Sequence, residues 1–316
     1  MEKEKLLLRM AYMYYKQNMD LKEIGEQFNI SYATVSRFLK EGRKSGLIEI
    51  KINHPIIRLL DLEAKLKNAF NLKDVISVNT SNIEANYSIK NLVSIEAANY
   101  LMDILKDGDM LGISWGSTIC QVVNNFSGNK KIKVDVIQLN GNLSNIPIEL
   151  NSSDLVRRMK DMFTGSYYFI NSEAIVDNQE TKNLLVENIV LKKTILLFNN
   201  INIALIGIGA FNKKSIQDLY INYMKNDEIM ELLNKNIVGE TCFNFFDSNG
   251  NIIDIELNKR TITINKNSLK NINNKIMVAS GVEKTEAIIG ALKAKIINTL
   301  ITDSLTLENI LKNLAI

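Results

Sequence analysis

The chain has 316 residues, 46% of them hydrophobic, with 38 Lys/Arg against 35 Asp/Glu, two cysteines and one histidine. That length can bury a large core and predicts two domains. Cys120 and Cys242, far apart, and the lone His54 exclude a disulfide framework and a zinc cluster and point to a reducing cytoplasm; no apolar run approaches the ~20 residues that cross a bilayer, and no apolar signal segment follows the charged start MEKEK.

Residues 20 to 51, DLKEIGEQFNISYATVSRFLKEGRKSGLIEIK, read as a helix, a tight turn, a second helix and a short β-wing. Asp20 and Glu23 have capping-box spacing. Leu21, Ile24, Gly25 and Phe28 then fall on one face. Asn29 stands where the chain turns, and Asn tolerates a left-handed backbone. Ser31 caps the second helix. Val35, Phe38 and Leu39 turn inward, which leaves Tyr32, Thr34, Ser36, Arg37 and Lys40 outward beside Ser31. Short hydroxyls at a helix start reach phosphates or base edges, and Arg37 can fork onto guanine or phosphate. After Gly46 the run 47 to 52 alternates as a strand does. The bland alternative is a helical hairpin with a solvated polar face. Charge favours double-stranded DNA: the chain's formal excess of +3 lies entirely within residues 1 to 51. So small an excess predicts a symmetric assembly that engages two or more half-sites.

His54-Pro55 then breaks the chain. Ile56, Leu59, Leu62, Leu66 and Phe70 follow at near-heptad spacing, on a helix that either joins two subunits or docks on the second domain. From residue 74 strands alternate with helices. Strand-like runs are DVISVNT, DMLGISW, KVDVIQLN, GSYYFIN, INIALIGIG, KIMVASG and IINTLITD. Helical runs are 84 to 106, with Ile95, Ala98, Leu101, Met102 and Leu105 on one face, then 117 to 126, 152 to 163, 179 to 198, 216 to 233, 283 to 293 and 304 to 314. Such alternation predicts a doubly wound, mostly parallel α/β sheet with helices on both faces. A β-hairpin is expected at 237 to 257, turning at Ser-Asn-Gly.

In such sheets ligands lie beyond the carboxyl ends of the strands. There Gly116-Ser117-Thr118 opens a helix, a ready anion site. Asn140-Gly141-Asn142, Gly207 and Gly209, and Gly281 with Lys284 end other strands. Lysine is disfavoured at the positive end of a helix, so Lys284 there points to an anion. Glycine after a strand usually just lets the chain turn, and the lone G-x-G at 207 to 209 lacks the rest of a dinucleotide fingerprint. No cofactor, metal or catalytic pair is indicated.

These segments, with GIGAF, FFDSNG and SGVEKTEAIIGALKAKIINTLITD, occur in order over nearly the whole chain. The chain thereby resembles the SorC-type sugar-responsive transcriptional regulators. The resemblance implies a winged helix-turn-helix DNA-binding domain (1–53), a linker helix (54–73) and an effector and oligomerisation domain (74–316). That last domain would resemble glucosamine-6-phosphate deaminase and ribose-5-phosphate isomerase. It implies operator DNA and a small sugar, polyol or sugar phosphate as partners, and a homodimer or homotetramer. By motif, Gly116, Ser117, Thr118, Asn140, Gly141, Glu240, Asp247 and Lys284 carry over as effector residues. Phe243-Asn244 stands where the family commonly has Gly-Arg, and Gly141-Asn142 where it has Gly-Gly, so the identity and phosphorylation of the sugar stay open. The alternatives are a sugar-phosphate enzyme with an appended DNA-binding domain, and a constitutive DNA binder whose second domain only oligomerises.

Overall fold

The structure, a computed structural model, describes residues 2–48, 55–80, 88–126, 132–211 and 223–316, with the side chains of 2–4 and 55–58 outside the description. Two compact units divide the chain, Met1–Ile57 and Arg58–Ile316.

The first unit opens with α1 (Glu2–Lys16), which the periodic reading passed over. Its LLLRMAYMYY stretch is apolar nearly all round, so no single stripe stands out. Met10 and Ala11 pack with Ile24, Val35 and Leu39. Helix α2 (Leu21–Phe28) begins with a capping box. Asp20 accepts from the Lys22 and Glu23 N–H groups at 2.7 and 2.8 Å, and the Asp20 N–H donates to Glu23. Asn29 ends α2 in the left-handed conformation, φ 53°. A Cβ at Gly25 would sit 2.6 Å from the Ile30 carbonyl oxygen, so glycine lets the turn close against the helix. Helix α3 (Tyr32–Lys44) follows. Of the expected wing, Leu47 and Ile48 are described; residues 49–52, and His54, lie outside the described residues.

Helix α4 (Pro55–Phe70) packs its later turns on the core of the second unit. Leu66 is fully buried, with Leu62 and Phe70 packed beside it. Glu63 accepts from the Ser77 N–H at 2.6 Å. The main sheet comprises β1 (Asp74–Val78), β2 (Met110–Ile113), β3 (Asp135–Gln138), β4 (Tyr167–Tyr168), β5 (Ile203–Ile206), β10 (Asn274–Val278) and β11 (Thr299–Asp303), parallel in the order β1-β11-β10-β5-β2-β3-β4. Successive strand residues feed opposite cores. Met110, Ile137, Ala204 and Met277 lie on one side, Leu111, Val136, Leu205 and Ile276 on the other. Because β3 and β4 extend the sheet away from β2 while β5, β10 and β11 return on its other side, the order reverses between β2 and β5.

Several expectations need correction. The expected strand GSYYFIN shrinks to Tyr167–Tyr168 at the sheet edge, where it has a single neighbour. Helix 84–106 is described as α5 (Ile89–Ile104); residues 81–87 lie outside the described residues. Its buried face runs through Val93, Ala97, Ala98, Leu101 and Met102, and Ile95 points outward at 37% exposure. Helix α6 (Ser117–Asn124) and α7 (Ser152–Arg158) are shorter than expected, the latter ending in a 3₁₀ turn. Helix 179–198 splits into α8 (Gln179–Glu187) and α9 (Ile189–Leu196), because the Asn188 side chain accepts the Val190 N–H and restarts the helix. Of the helix at 216–233 only α10 (Asn226–Asn234) is described, with 212–222 outside the described residues. The single hairpin at 237–257 is instead a meander of β6 (Gly209–Ala210), β7 (Ile237–Thr241), β8 (Asn244–Asp247) and β9 (Ile252–Ile253). The Ser-Asn-Gly turn joins β8 to β9; a second turn, at Cys242-Phe243, joins β7 to β8. Short helices α11 (Glu256–Lys259) and α12 (Lys266–Asn271) follow. Helix 283–293 begins as a 3₁₀ turn at Val282–Lys284 before α13 (Thr285–Lys293), and α14 (Ser304–Leu314) matches its expectation.

Candidate functional site

The polar face of α3 is open in the first unit. Ser31, Tyr32, Ser36, Arg37 and Lys40 are exposed and Thr34 is half-buried. Tyr32 is 60% exposed, far more than a tyrosine serving only the core. Ser31 is already engaged within the helix. Its Oγ accepts the Thr34 N–H at 3.2 Å and lies 2.9 Å from Thr34 Oγ1. Those two hydroxyls close the helix start, so Tyr32, Ser36, Arg37 and Lys40 are the groups left to meet a partner.

In the second unit a cleft of about 180 Å³ opens at the carboxyl ends of β2 and β5, where the strand order reverses. Reversal sends successive crossovers to opposite faces and leaves a crevice between them. Ser114, Trp115, Gly116, Ser117, Thr118 and Ile119 form the wall after β2. Gly207, Ile208 and Gly209 follow β5, Glu240 and Cys242 come from the meander, and Lys284 from the turn before α13. The Gly207 N–H donates to Ser114 Oγ at 3.2 Å and the Thr241 hydroxyl to the Gly207 carbonyl at 2.8 Å, which fixes the two strand ends.

The start of α6 faces this cleft uncapped. Gly116, the N-cap residue, has φ 111°, a conformation a side chain would oppose, and no side chain caps the helix. The first-turn N–H groups of Ser117, Thr118 and Ile119 have no intrahelical acceptor. With the hydroxyls of Ser117 and Thr118 they suit an anion. Lys284 reaches the same space. Among the described residues its ammonium forms no ion pair or hydrogen bond. Burial depresses its pKa below that of a free lysine, the charge of Lys90 adds to this, and Glu283 offsets only part.

Opposite stands a turn held against its own preference. Cys242 and Phe243 both have positive φ, 48° and 57°. For residues with side chains this stores roughly 1–3 kcal/mol apiece. Surrounding contacts impose it. Glu240 accepts the Phe243 N–H at 2.9 Å; Asn244 Nδ2 and the Thr263 hydroxyl donate to the Cys242 carbonyl at 3.0 and 2.8 Å. Asn258 Nδ2 donates to the Phe243 carbonyl at 2.8 Å, and the Phe243 ring stacks on Trp115 at 5.9 Å. Asn244, which departs from the family pattern, is thus a brace of the turn. Cys242 is no nucleophile: full burial, with Glu240 nearby, drives its thiol far above the usual range and keeps it protonated.

Of the eight effector residues expected from sequence, Gly116, Ser117, Thr118, Glu240 and Lys284 line one cleft. Asn140, Gly141 and Asp247 do not line it. Asn140 is buried and donates to the Gly141 carbonyl at 2.7 Å, and the Gly141 N–H bonds to Ile262. Asp247 organises the β8–β9 turn, accepting from the Asn249 and Asn251 N–H groups at 2.9 Å. Desolvation would raise its pKa; these bonds and the Asn251 side chain pull it below the ordinary carboxylate value. Sequence reading missed Ser114, Trp115, Cys242 and Lys90, whose Nζ lies 3.2 Å from Ser117 Oγ. Lys90, in the first turn of α5, carried the same signal as Lys284, a cation at the positive end of a helix, but no strand-end glycine drew attention to it. Among the described residues no acid, thiol or imidazole cluster could hold a metal, and no helix is long and apolar enough to cross a membrane.

Comparison with known proteins agrees with this architecture. The sugar-binding domain family (Sugar-bind) matches residues 54–312. The deoxyribonucleoside regulator of Bacillus subtilis is 30% identical over 313 residues, 99% of either chain. The sorbitol operon regulator of Klebsiella pneumoniae is 26% identical, with 98% of each chain covered. The crystal structure of that full-length sorbitol operon regulator, SorC, matches with TM-score 0.75 over 97% of this chain and 98% of its own. A transcriptional regulator from Streptococcus pneumoniae matches at 0.78 with 26% identity, over 83% of this chain and all of its own.

Proposed function

This chain belongs to the SorC-type family of sugar-binding transcriptional regulators, and from that premise we propose that it is a regulator whose first unit reads operator DNA and whose second unit binds a small sugar, polyol or sugar phosphate in the cleft after β2 and β5. The single observation that carries the effector reading is the convergence of Ser117, Thr118 and Lys284, from opposite ends of the domain sequence, on one cleft at the reversal point of the sheet. A cleft of about 180 Å³ suits a compact polar molecule better than a drug-sized one, which fills roughly 300–1,000 Å³. Glu240, on the facing wall, is the acceptor for sugar hydroxyls.

The first unit is the helix-turn-helix DNA reader. Helix α3 enters the major groove, with Tyr32, Ser36, Arg37 and Lys40 toward DNA and the Ser31–Thr34 pair at its start. A homodimer or homotetramer sets two or more such helices at half-site spacing. Effector binding then favours one arrangement of subunits, and by linkage it shifts operator affinity by its differential affinity for the two states, typically about 1–3 kcal/mol.

A thermal-shift panel of sugars, polyols and their phosphates, followed by operator binding with and without each hit, tests this reading. A hit must raise the melting temperature and change operator affinity. If no member of the panel stabilises the protein, the domain only assembles the regulator. Turnover of a stabilising sugar phosphate would instead make the second unit an enzyme.

A further inference from the structure

Lys90 lies outside every motif that suggested the cleft, yet it stands at the mouth of the same helix start. Its Nζ is 3.2 Å from Ser117 Oγ, in the first turn of α6. Lys90 is itself the second residue of α5, and Lys284 is the residue from which α13 starts. Each lysine therefore sits where a helix dipole is positive, and α6 presents a third positive end between them. The neighbouring Asn91 and Asn125 side chains bond at 3.1 Å and hold α5 against α6, so Lys90 is brought there by packing.

Glu283 offsets only part of what disfavours the charge on Lys284. Glu283 belongs to the turn that carries Lys284, and Glu240 bonds to the Phe243 N–H on the facing wall. Among the described residues neither lysine forms a salt bridge. Two ammonium groups and one uncapped helix end in a half-buried site repel each other unless an anion joins them. A neutral sugar supplies no such charge. A phosphate monoester carries about −1.5 to −2 at neutral pH and three acceptor oxygens, enough to engage both cations and the α6 N–H groups together.

We infer that Lys90 is a further ligand-binding residue of the cleft, closing with Lys284 a two-cation clamp on the phosphate of a phosphorylated sugar. This rests on the cleft being the effector site, and it selects the phosphorylated member of the class proposed above. Lys90 grips the phosphate from the α5 side and Lys284 from the α13 side, while Glu240 faces the sugar hydroxyls.

Calorimetry on the full chain with inorganic phosphate, ribose 5-phosphate and ribose tests it, using Lys90→Met, Lys90→Arg and Lys284→Met. Wild type should bind the two phosphate probes and prefer ribose 5-phosphate to ribose. Lys90→Met should weaken both phosphate probes roughly tenfold, the usual worth of one charge-assisted contact, and leave ribose unchanged; Lys90→Arg should recover most of the loss. Unaltered phosphate binding in Lys90→Met, with loss in Lys284→Met, would overturn the clamp and leave the cleft standing. Ribose binding wild type as tightly as ribose 5-phosphate would also overturn it, in favour of a neutral effector. Wild-type affinities for all three probes in both Met variants would overturn the clamp and the cleft together.

Discussion

The starts of α3 and α6 are built from similar small hydroxyl residues, yet they are closed in opposite ways. At α3 the Ser31 side chain caps the helix, and an outside partner meets only the side chains beyond it. At α6 a glycine precedes Ser117 and Thr118, no side chain caps the helix, and the backbone itself faces the cleft. A self-capped helix suits reading base edges, where identity comes from side-chain donors and acceptors. An uncapped one suits an anion, which needs charge and N–H groups more than identity. Helix α10 shows a third solution. Its first turn is shut by Glu228, which accepts the Lys225 N–H at 2.8 Å and forms a buried ion pair with Arg260.

That third solution gives the largest expected effect. Glu228→Ala strands Arg260 among the carbonyls of Val176 and Tyr223, and should cost about 3–5 kcal/mol of stability by chemical denaturation. Burial alone would raise the pKa of Glu228; bonds from Arg260 and the Lys225 N–H, with their charges, more than reverse this. Its folded pKa is therefore depressed, and its stabilisation, full above the unfolded value of 4.5, is lost as pH falls through the folded value. An acid melt of the variant should lack that component.

Next comes the open helix. Lys284→Ala should cost roughly 1.5–3 kcal/mol of affinity for a phosphorylated effector, the worth of a hydrogen bond to a charged group. DNA binding without effector should persist. Thr118→Val and Lys284→Met should combine to less than their sum, because groups that share one phosphate are coupled. Strict additivity by calorimetry would mean that the α6 and α13 starts do not meet on one ligand.

On the capped helix, Arg37→Ala should weaken operator binding by about 1–3 kcal/mol at matched salt, and Tyr32→Ala should weaken it too, with effector affinity unchanged. Wild-type operator affinity in both variants would remove α3 as the reader. The smallest effect belongs to the cap before it. Asp20→Ala should destabilise the first unit by about 1 kcal/mol and leave the cleft's affinity as it was; an equal loss at the cleft would couple the two units in a way local capping does not.

The segment from Asp20 to Lys44 was largely legible because its determinants lie within a few residues of one another. The box of Asp20 with Glu23, Asn29 at the turn and Ser31 as the cap of α3 are local signals that spacing reveals, and each is present. In the second unit the alternation of strands and helices was equally legible, as were the turns that open α6 and α13. Local signals also overreached. Asn188 broke a helix whose apolar pattern ran on, and Ser-Asn-Gly marked one turn of the meander and hid the other. Cys242-Phe243 was unreadable as a turn, since nothing in those residues favours positive φ; contacts from Glu240, Asn244, Asn258 and Thr263 impose it.

By itself, then, the sequence determined the helix caps at Asp20 and Ser31, the class of the sheet and the glycine turns at strand ends, because these follow from neighbours on one turn or one strand. Only the tertiary structure decided that β2 lies beside β5, that Glu240 meets the cleft while Asp247 serves a turn, and that Lys90 approaches Ser117. Strand order is settled by the packing of two cores on either face of the sheet, a sum over many distant residues that leaves no mark at any one of them.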